Sequence, residues 1–249
     1  MSYRRIFSVF ELVSVKHVAA MLRLGTKYDI GHFRTQALEI LHYEHPMTLK
    51  DFDKSCTAPR LDYGLDTSTH VLNLALEFSL ETVLPSVYLI QLQNTSLVRA
   101  VCSIPQRPLS HCISIQESLI DNNMNPPLDK RAQVNCMLGR NKLIFWLNKT
   151  LHAHLELVTE AHYNPGCQNR SKCVPERKCL VRGFRFWMND YDDRPGRLPE
   201  RWKEPKKHSL CRTCLKSLQV THAAIQEELW AKLPSFFGLP DWPAPESGD

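Results

Sequence analysis

A mainly α-helical fold is predicted by three features of this 249-residue sequence. Apolar residues recur at intervals of three and four in successive runs, which is the periodicity of amphipathic helices. Short stretches rich in Gly, Pro, Asn and Asp separate these runs and favour turns. Alternating apolar and polar residues, the pattern of a half-buried strand, are almost absent, and no repeat recurs at a fixed period.

The first predicted element is a helical hairpin over residues 18–41. Residues 27–31, which read KYDIG, supply the polar and Gly residues for the turn between its helices. Such a hairpin buries its two apolar stripes against each other and against a further layer. The stripes consist of Val18, Ala19, Leu22 and Gly25 in the first helix and Phe33, Ala37 and Leu41 in the second.

The hairpin sequence, LRLGTKYDIGHFRTQALEIL, resembles the last two helices of a BTB/POZ domain as found in a large group of fungal, basidiomycete-type proteins. That resemblance implies a protein that dimerises and recruits partners, some to cullin-type ubiquitin ligases and some to transcriptional complexes. A BTB domain also has a strand-rich front half, yet only 17 residues precede Val18. The resemblance therefore covers only the rear of the domain, and Met21, Leu24 and Tyr28 are expected to form an uncovered apolar face for a protein partner or a second copy.

A second helical pair is predicted after a loop over residues 57–67. Pro46 ends the preceding helix, and the Thr48-x-x-Asp51 spacing is typical of a capped helical turn. The segment VLNLALEFSLETVLPSVYLIQLQ resembles the helical region after the BTB domain in the same fungal proteins, with Pro85 suited to a first turn. Its two stripes are Val71, Leu74, Ala75 and Phe78, then Leu84, Val87, Tyr88 and Leu92.

Three more helices are predicted in the second half of the chain. The first spans 128–158, with Gly139 as a point at which it can divide; its inward residues are Ala132, Cys136, Leu143, Trp146, Leu147, Leu151 and Leu155. A shorter helix over 180–191 carries Phe184, Trp187 and Tyr191 on one side. The last spans 212–232 with Leu215, Leu218, Ile225 and Leu229, followed by a strap of Phe236, Phe237 and Trp242.

Loops are expected over 95–111, 121–127 and 194–208, and the chain divides into three parts. These are a partial BTB-like hairpin over 1–47, a helical post-BTB region over 48–160 and a Cys-rich helical region over 161–249.

Composition is typical of an ordinary folded protein, with 43% apolar and 23% charged residues. No apolar run reaches the roughly 18 residues that span a membrane, and no secretory signal is recognised, so an intracellular location, cytoplasmic or nuclear, is expected.

The net charge of +5 is unevenly distributed along the chain: residues 162–216 carry 14 Lys or Arg against six Asp or Glu. A basic block can bind nucleic acid, but it is more often a solvated surface.

Five of the nine cysteines lie between residues 167 and 214, and this spacing indicates one structural zinc site. Cys211-x-x-Cys214 at the start of a helix can direct two thiolates at one ion, and Cys167 with Cys173 can form the second pair. The five-residue gap in that pair is wider than usual, so Cys179 or His208 remains an alternative for one ligand. Free thiols buried as small apolar side chains are the alternative to zinc.

Catalytic motifs are not recognised in the sequence: it has no nucleophile elbow and no Gly-rich phosphate-binding loop. Four protein ligands would also leave zinc no open position for catalysis. We therefore expect a non-catalytic protein–protein interaction or adaptor protein of the BTB type. The alternative is a zinc-supported protein associated with nucleic acid or transcription through the basic segment 162–216.

Overall fold

The computed structural model describes residues 12–64, 67–94, 128–156, 166–189 and 209–244. Within these ranges the chain is mainly helical, as the sequence predicts, and the extended backbone pairing is limited to one isolated parallel bridge between Val13 and Leu61. The helices are α1 (Val15–Lys27), α2 (Gly31–Glu44), α3 (Leu49–Thr57), α4 (Thr67–Glu77), α5 (Leu84–Asn94), α6 (Lys130–Glu156), α7 (Arg170–Asn189) and α8 (Arg212–Phe236).

Helices α1 and α2 form the predicted hairpin. Ser14 caps α1 by accepting a hydrogen bond from the Lys16 backbone N–H. The turn places Asp29 at a φ of 54°, a left-handed conformation that Asp tolerates better than most residues. A Cβ atom at Gly25 would lie 2.7 Å from the backbone nitrogen of Arg34, so glycine permits the two helices to approach closely.

The second predicted helical pair corresponds to α4 and α5. Thr48 caps the intervening helix α3, because its hydroxyl accepts a hydrogen bond from the Asp51 backbone N–H, as the spacing predicted. Pro85 lies in the first turn of α5, also as predicted. Both predicted stripes face the core, where their buried members are Val71, Leu74, Ala75, Leu84, Val87, Tyr88 and Leu92, with Phe78 partly buried.

Helix α6 continues through Gly139, so the division that this residue allowed does not occur. The glycine instead permits a close approach: a Cβ atom there would lie 2.2 Å from the ring of Phe237. That ring stacks on Tyr88, with 4.7 Å between centroids and 15° between planes. Glycine is therefore required at this position by helix packing and not by a break in the helix.

Helix α7 begins at Arg170, ten residues before the predicted start at 180, and contains Pro175. The predicted loops at 95–111 and 121–127, the connector at 194–208 and Tyr191 lie outside the described residues. The side chains of Phe184 and Trp187 are likewise outside the described part of α7.

One main core joins the first helices to the last. Ile225, Leu229, Trp230 and Leu233 of α8 pack in the same cluster as residues of α1 to α6. The predicted strap packs there too: Phe236 and Phe237 are buried, and Trp242 is partly buried. The core therefore crosses the predicted boundaries at residues 48 and 161.

None of the helices in the described ranges is both long and apolar enough to cross a lipid bilayer.

Candidate metal centre

The four cysteines predicted as metal ligands meet where two helices begin. Cys167 lies three residues before α7, and Cys173 lies in the first turn of that helix. Cys211 is the N-cap residue of α8, and Cys214 lies in its first turn. Their Sγ atoms all lie within 4.8 Å of one another.

Local hydrogen bonds fix the start of α7 beside the cluster. Asn169 is a preferred N-cap residue, and its Oδ1 accepts hydrogen bonds from the Lys172 N–H and the Ser171 hydroxyl. The cap places Cys167 just outside the helix and Cys173 inside it. The wide gap between these two cysteines therefore has a structural reason: one lies before the N-cap residue of α7 and the other lies after it.

Two further hydrogen bonds join the approach to α8 to helix α7. The hydroxyl of Ser209 donates to the Glu176 carboxylate at 2.8 Å. The backbone N–H of Cys211 donates to the sulfur of Cys173 at 3.2 Å. Backbone N–H donation to sulfur stabilises the thiolate form, which is the form that binds metals.

The distances between the sulfur atoms suit a tetrahedral ion. A tetrahedron with zinc–sulfur bonds of about 2.3 Å has sulfur atoms about 3.8 Å apart. The Sγ atoms of Cys167 and Cys211 are 4.0 Å apart, and no pair among the four exceeds 4.8 Å. Small adjustments of the side chains would therefore bring all four sulfurs to bonding distance from one ion.

The cysteines occupy a small core of their own, separate from the main core. Cys173 and Cys214 are buried there with Leu210 and Leu218, and Leu215 packs partly against them. Among the described residues this cluster has few large apolar side chains, and such a cluster gains little from the hydrophobic effect. An ion bound by four sulfurs would supply the cohesion that these side chains do not.

The electrostatic environment favours thiolates at one position in particular. Backbone N–H groups of Gln168 and Cys214 donate to the sulfur of Cys211 and lower the pKa of Cys211 to about 6. Burial raises the pKa of Cys173 and Cys214 instead. Both helices also direct their N-terminal ends, which carry partial positive charge, towards the sulfur atoms. Within the cluster, Cys211 is therefore the cysteine whose surroundings most favour the thiolate form.

The remaining candidate ligands stand apart from this group. Cys179 is exposed on α7 and is not part of the cluster. His208, Cys102 and Cys112 lie outside the described residues. Cys56 is exposed on α3, and Cys136 is buried in the main core. Within the described ranges, the cluster consists of the four cysteines that the sequence analysis favoured.

The three predicted interaction residues do not share one environment. Leu24 and Tyr28 are 43% and 60% exposed, and the Lys27 ammonium lies over the Tyr28 ring. Met21 is buried and packs in the main core, so it is not part of an exposed face. Met21 lies three residues before Leu24, so the two side chains project from the same side of α1. The main core covers the part of that side where Met21 lies.

Sequence reasoning missed a second exposed apolar surface, which lies on α6. Val134, Leu138 and Phe145 are 54%, 54% and 72% exposed, and their spacing places them on one side of the helix. We call these three residues the α6 stripe. The sequence contained an indication of this surface. These three apolar residues are not among those that the sequence analysis assigned to the inward side of the helix.

Comparison with models of known protein families, with curated proteins and with solved structures gave no match.

Proposed function

We propose that Cys167, Cys173, Cys211 and Cys214 bind one structural Zn²⁺ ion, and that the chain is a non-catalytic protein-binding protein of the adaptor type. The observation that carries the metal site is the convergence of four Sγ atoms within 4.8 Å. Four sulfur ligands in such a group suit zinc, which binds thiolates in tetrahedral geometry. Cysteines buried merely as apolar side chains have no reason to converge from two separate helix starts.

The same ligand set supports a structural role for the ion. Catalytic zinc keeps an open position for water or substrate, whereas four protein sulfurs fill the tetrahedron. The ion would join the start of α7 to the start of α8, where the described residues of the small core include few large apolar side chains. Zinc binding and local folding would then be one coupled process.

Protein binding is supported by the α6 stripe. Exposed apolar side chains that share one helix face are typical of surfaces that another protein covers. The resemblance of α1 and α2 to the rear of a BTB domain points the same way, towards assembly with a protein partner or with a second copy. The alternative is nucleic-acid binding through the basic segment 162–216.

Elemental analysis of the full chain tests the metal site. We expect about one zinc per chain, as a four-sulfur site requires. Cys211→Ser should lose most of the zinc, whereas Cys179→Ser, an exposed cysteine outside the cluster, should keep it. A folded wild-type chain that purifies without zinc, and does not take it up when reduced, would overturn the metal site.

Light scattering over a range of concentrations tests assembly through the α6 stripe. Phe145→Glu should lower the mass in solution if this stripe pairs two copies, because a charge would enter an apolar contact. Val220→Glu is a matched control, since Val220 is also exposed but lies on α8. A wild-type chain that is monomeric throughout excludes self-association, and tight binding to DNA or RNA with steep salt dependence would favour the alternative function.

A further inference from the structure

The four sulfur atoms of the cysteine cluster are unequally accessible. Cys173 and Cys214 are 2% and 4% exposed, so solvent hardly reaches their side chains. Cys167 and Cys211 are half-buried and reach the surface of the cluster. A small oxidant arriving from solvent therefore meets Cys167 and Cys211 first.

The two accessible sulfurs are also neighbours. Their Sγ atoms lie 4.0 Å apart, and a disulfide needs about 2.05 Å, so they must approach by roughly 2 Å. Both residues stand outside the helical turns: Cys167 precedes α7, and Cys211 is the extended N-cap residue of α8, with φ −69° and ψ 159°. Cys173 lies inside the first turn of α7, where its backbone N–H donates to the Asn169 carbonyl. Cys211 lies at the edge of α8, where its carbonyl accepts a hydrogen bond from the Leu215 N–H and its own N–H donates to the Cys173 sulfur. The accessible pair can therefore approach with less distortion of helical backbone.

We propose that Cys167 and Cys211 are a site of reversible oxidation by hydrogen peroxide, at which disulfide formation releases the bound zinc. This inference rests on the proposed zinc site. One thiolate attacks a peroxide oxygen, the O–O bond breaks, and a sulfenic acid and a hydroxide ion form. The second thiolate attacks the sulfenic sulfur, the S–S bond forms, and a second hydroxide leaves. The two sulfurs together lose two electrons, and the peroxide gains them.

Zinc leaves because the disulfide removes two of its four ligands. The two buried sulfurs of Cys173 and Cys214 alone do not complete a tetrahedral site. The disulfide replaces the ion as the link between the starts of α7 and α8, since one of its cysteines stands before each helix. Oxidation would thus exchange a metal link for a covalent one at the same place.

The test uses the full zinc-loaded chain with hydrogen peroxide, a coloured zinc indicator and non-reducing peptide mapping by mass spectrometry. We expect zinc release to follow the appearance of a Cys167–Cys211 disulfide, with about one peroxide consumed per zinc. Reduction with dithiothreitol and addition of zinc should restore the starting state, because a disulfide is reversible and a sulfinic acid is not. The Cys56→Ser/Cys179→Ser double variant, which lacks two exposed cysteines outside the cluster, should respond like the wild type.

The outcomes separate this inference from the metal site itself. A chain without zinc before peroxide is added would contradict the proposed function. Zinc that is present but stays bound after peroxide, or that leaves with Cys173 and Cys214 linked to each other, would overturn the oxidation site and leave the metal site standing. The peptide map of the wild-type chain decides this point, so the test does not depend on cysteine variants that fail to fold.

Discussion

The indole Nε1 of Trp230 donates a 2.7 Å hydrogen bond to the backbone carbonyl oxygen of Met47, across 183 residues of sequence. The centroid of the Phe52 ring lies 4.8 Å from that of the Trp230 ring. The Trp242 ring also stacks against Trp230, with 6.1 Å between centroids and 9° between planes. This contact fixes α8 to the connection between α2 and α3. The helix that begins at the cysteine cluster is therefore anchored at its far end in the main core.

Trp230→Phe should destabilise the chain by about 1–3 kcal/mol, because the buried packing is largely retained while the Met47 carbonyl loses its partner. Urea unfolding measures the difference. Trp242→Phe removes a hydrogen bond to the Trp230 carbonyl from a less buried ring, so a smaller loss is expected. Equal stability of Trp230→Phe and the wild type would show that the hydrogen bond contributes nothing.

Gly139→Ala should also destabilise the chain, although alanine is the better helix former by about 1 kcal/mol. The new methyl group would overlap the ring of Phe237, which is buried and stacked on Tyr88 and so cannot move freely. We expect a net loss of about 1–3 kcal/mol in thermal or urea unfolding. Gly31→Ala is the matched control, because a Cβ atom there meets nothing within 4 Å.

These residues show what the sequence could predict. The periodicity of Val18, Leu22, Ala37 and Leu41 predicted the hairpin because local spacing determines which face of a helix is apolar. Gly139 was identified as unusual, but its reason is Phe237, nearly a hundred residues away. A contact of that kind leaves no local pattern, so the sequence offered only the generic interpretation of a helix break.

The cysteine cluster was predictable because part of it is also a local pattern in the sequence. Cysteines are chemically distinctive as potential metal ligands, and Cys211-x-x-Cys214 already places two of the four together. The start of α7 was missed because Pro175 and the charged residues around it are typical of loops, whereas here Asn169 caps a helix that the proline does not end. Burial of Met21 was missed because a single helix does not reveal how far the next layer covers it.

Glu44→Gln should reveal a buried polar contact that the sequence did not predict. The Glu44 carboxylate is 2% exposed and accepts hydrogen bonds from the backbone N–H groups of Arg60 and Leu61 and from the Tyr63 hydroxyl. Glutamine has one acceptor oxygen fewer, so one donor loses its partner at a cost of about 1–3 kcal/mol. Glu39→Gln, at an exposed position of the same helix, should leave urea unfolding unchanged.

His45 should make the stability of the chain depend on pH. Its ring is 1% exposed, and burial lowers the pKa of His45 from 6.5 to about 3. Between these values the unfolded chain binds a proton at this ring and the folded chain does not. The free energy of unfolding therefore falls as the pH falls below 6.5, by up to about 1.4 kcal/mol per pH unit.

His45→Phe isolates this effect. The difference in unfolding free energy between variant and wild type should shift in favour of the variant as the pH falls from 6.5 to 4.5. Glu44 acts with the opposite sign, since burial raises its pKa, but it is present in both proteins and cancels in the comparison. His17→Gln is the control, because that side chain is exposed. A constant difference over this pH range would contradict the prediction.

Removal of the proposed zinc ion should loosen the cysteine cluster before the main core. The small core contains Leu210 and Leu218 as its buried leucines, whereas the main core is anchored by Tyr88, Trp230 and other large side chains. Opening of a region with few apolar contacts costs less free energy than global unfolding. Chelation by EDTA under reducing conditions should therefore speed hydrogen exchange at the Cys173 amide. This amide donates a hydrogen bond to the Asn169 carbonyl, which closes the first turn of α7.

The amides of α4 and α5 provide the internal reference in the same experiment. Their exchange should stay slow after chelation, because the buried apolar side chains of both helices belong to the main core, and none of the described residues of the small core lies in them. Cys179→Ser should behave like the wild type, since that thiol lies outside the cysteine cluster. Equal acceleration in α5 and at Cys173 would mean that the ion supports the whole fold, and no change at Cys173 would mean that the hydrogen bonds around Asn169 and Ser209 hold this region without a metal.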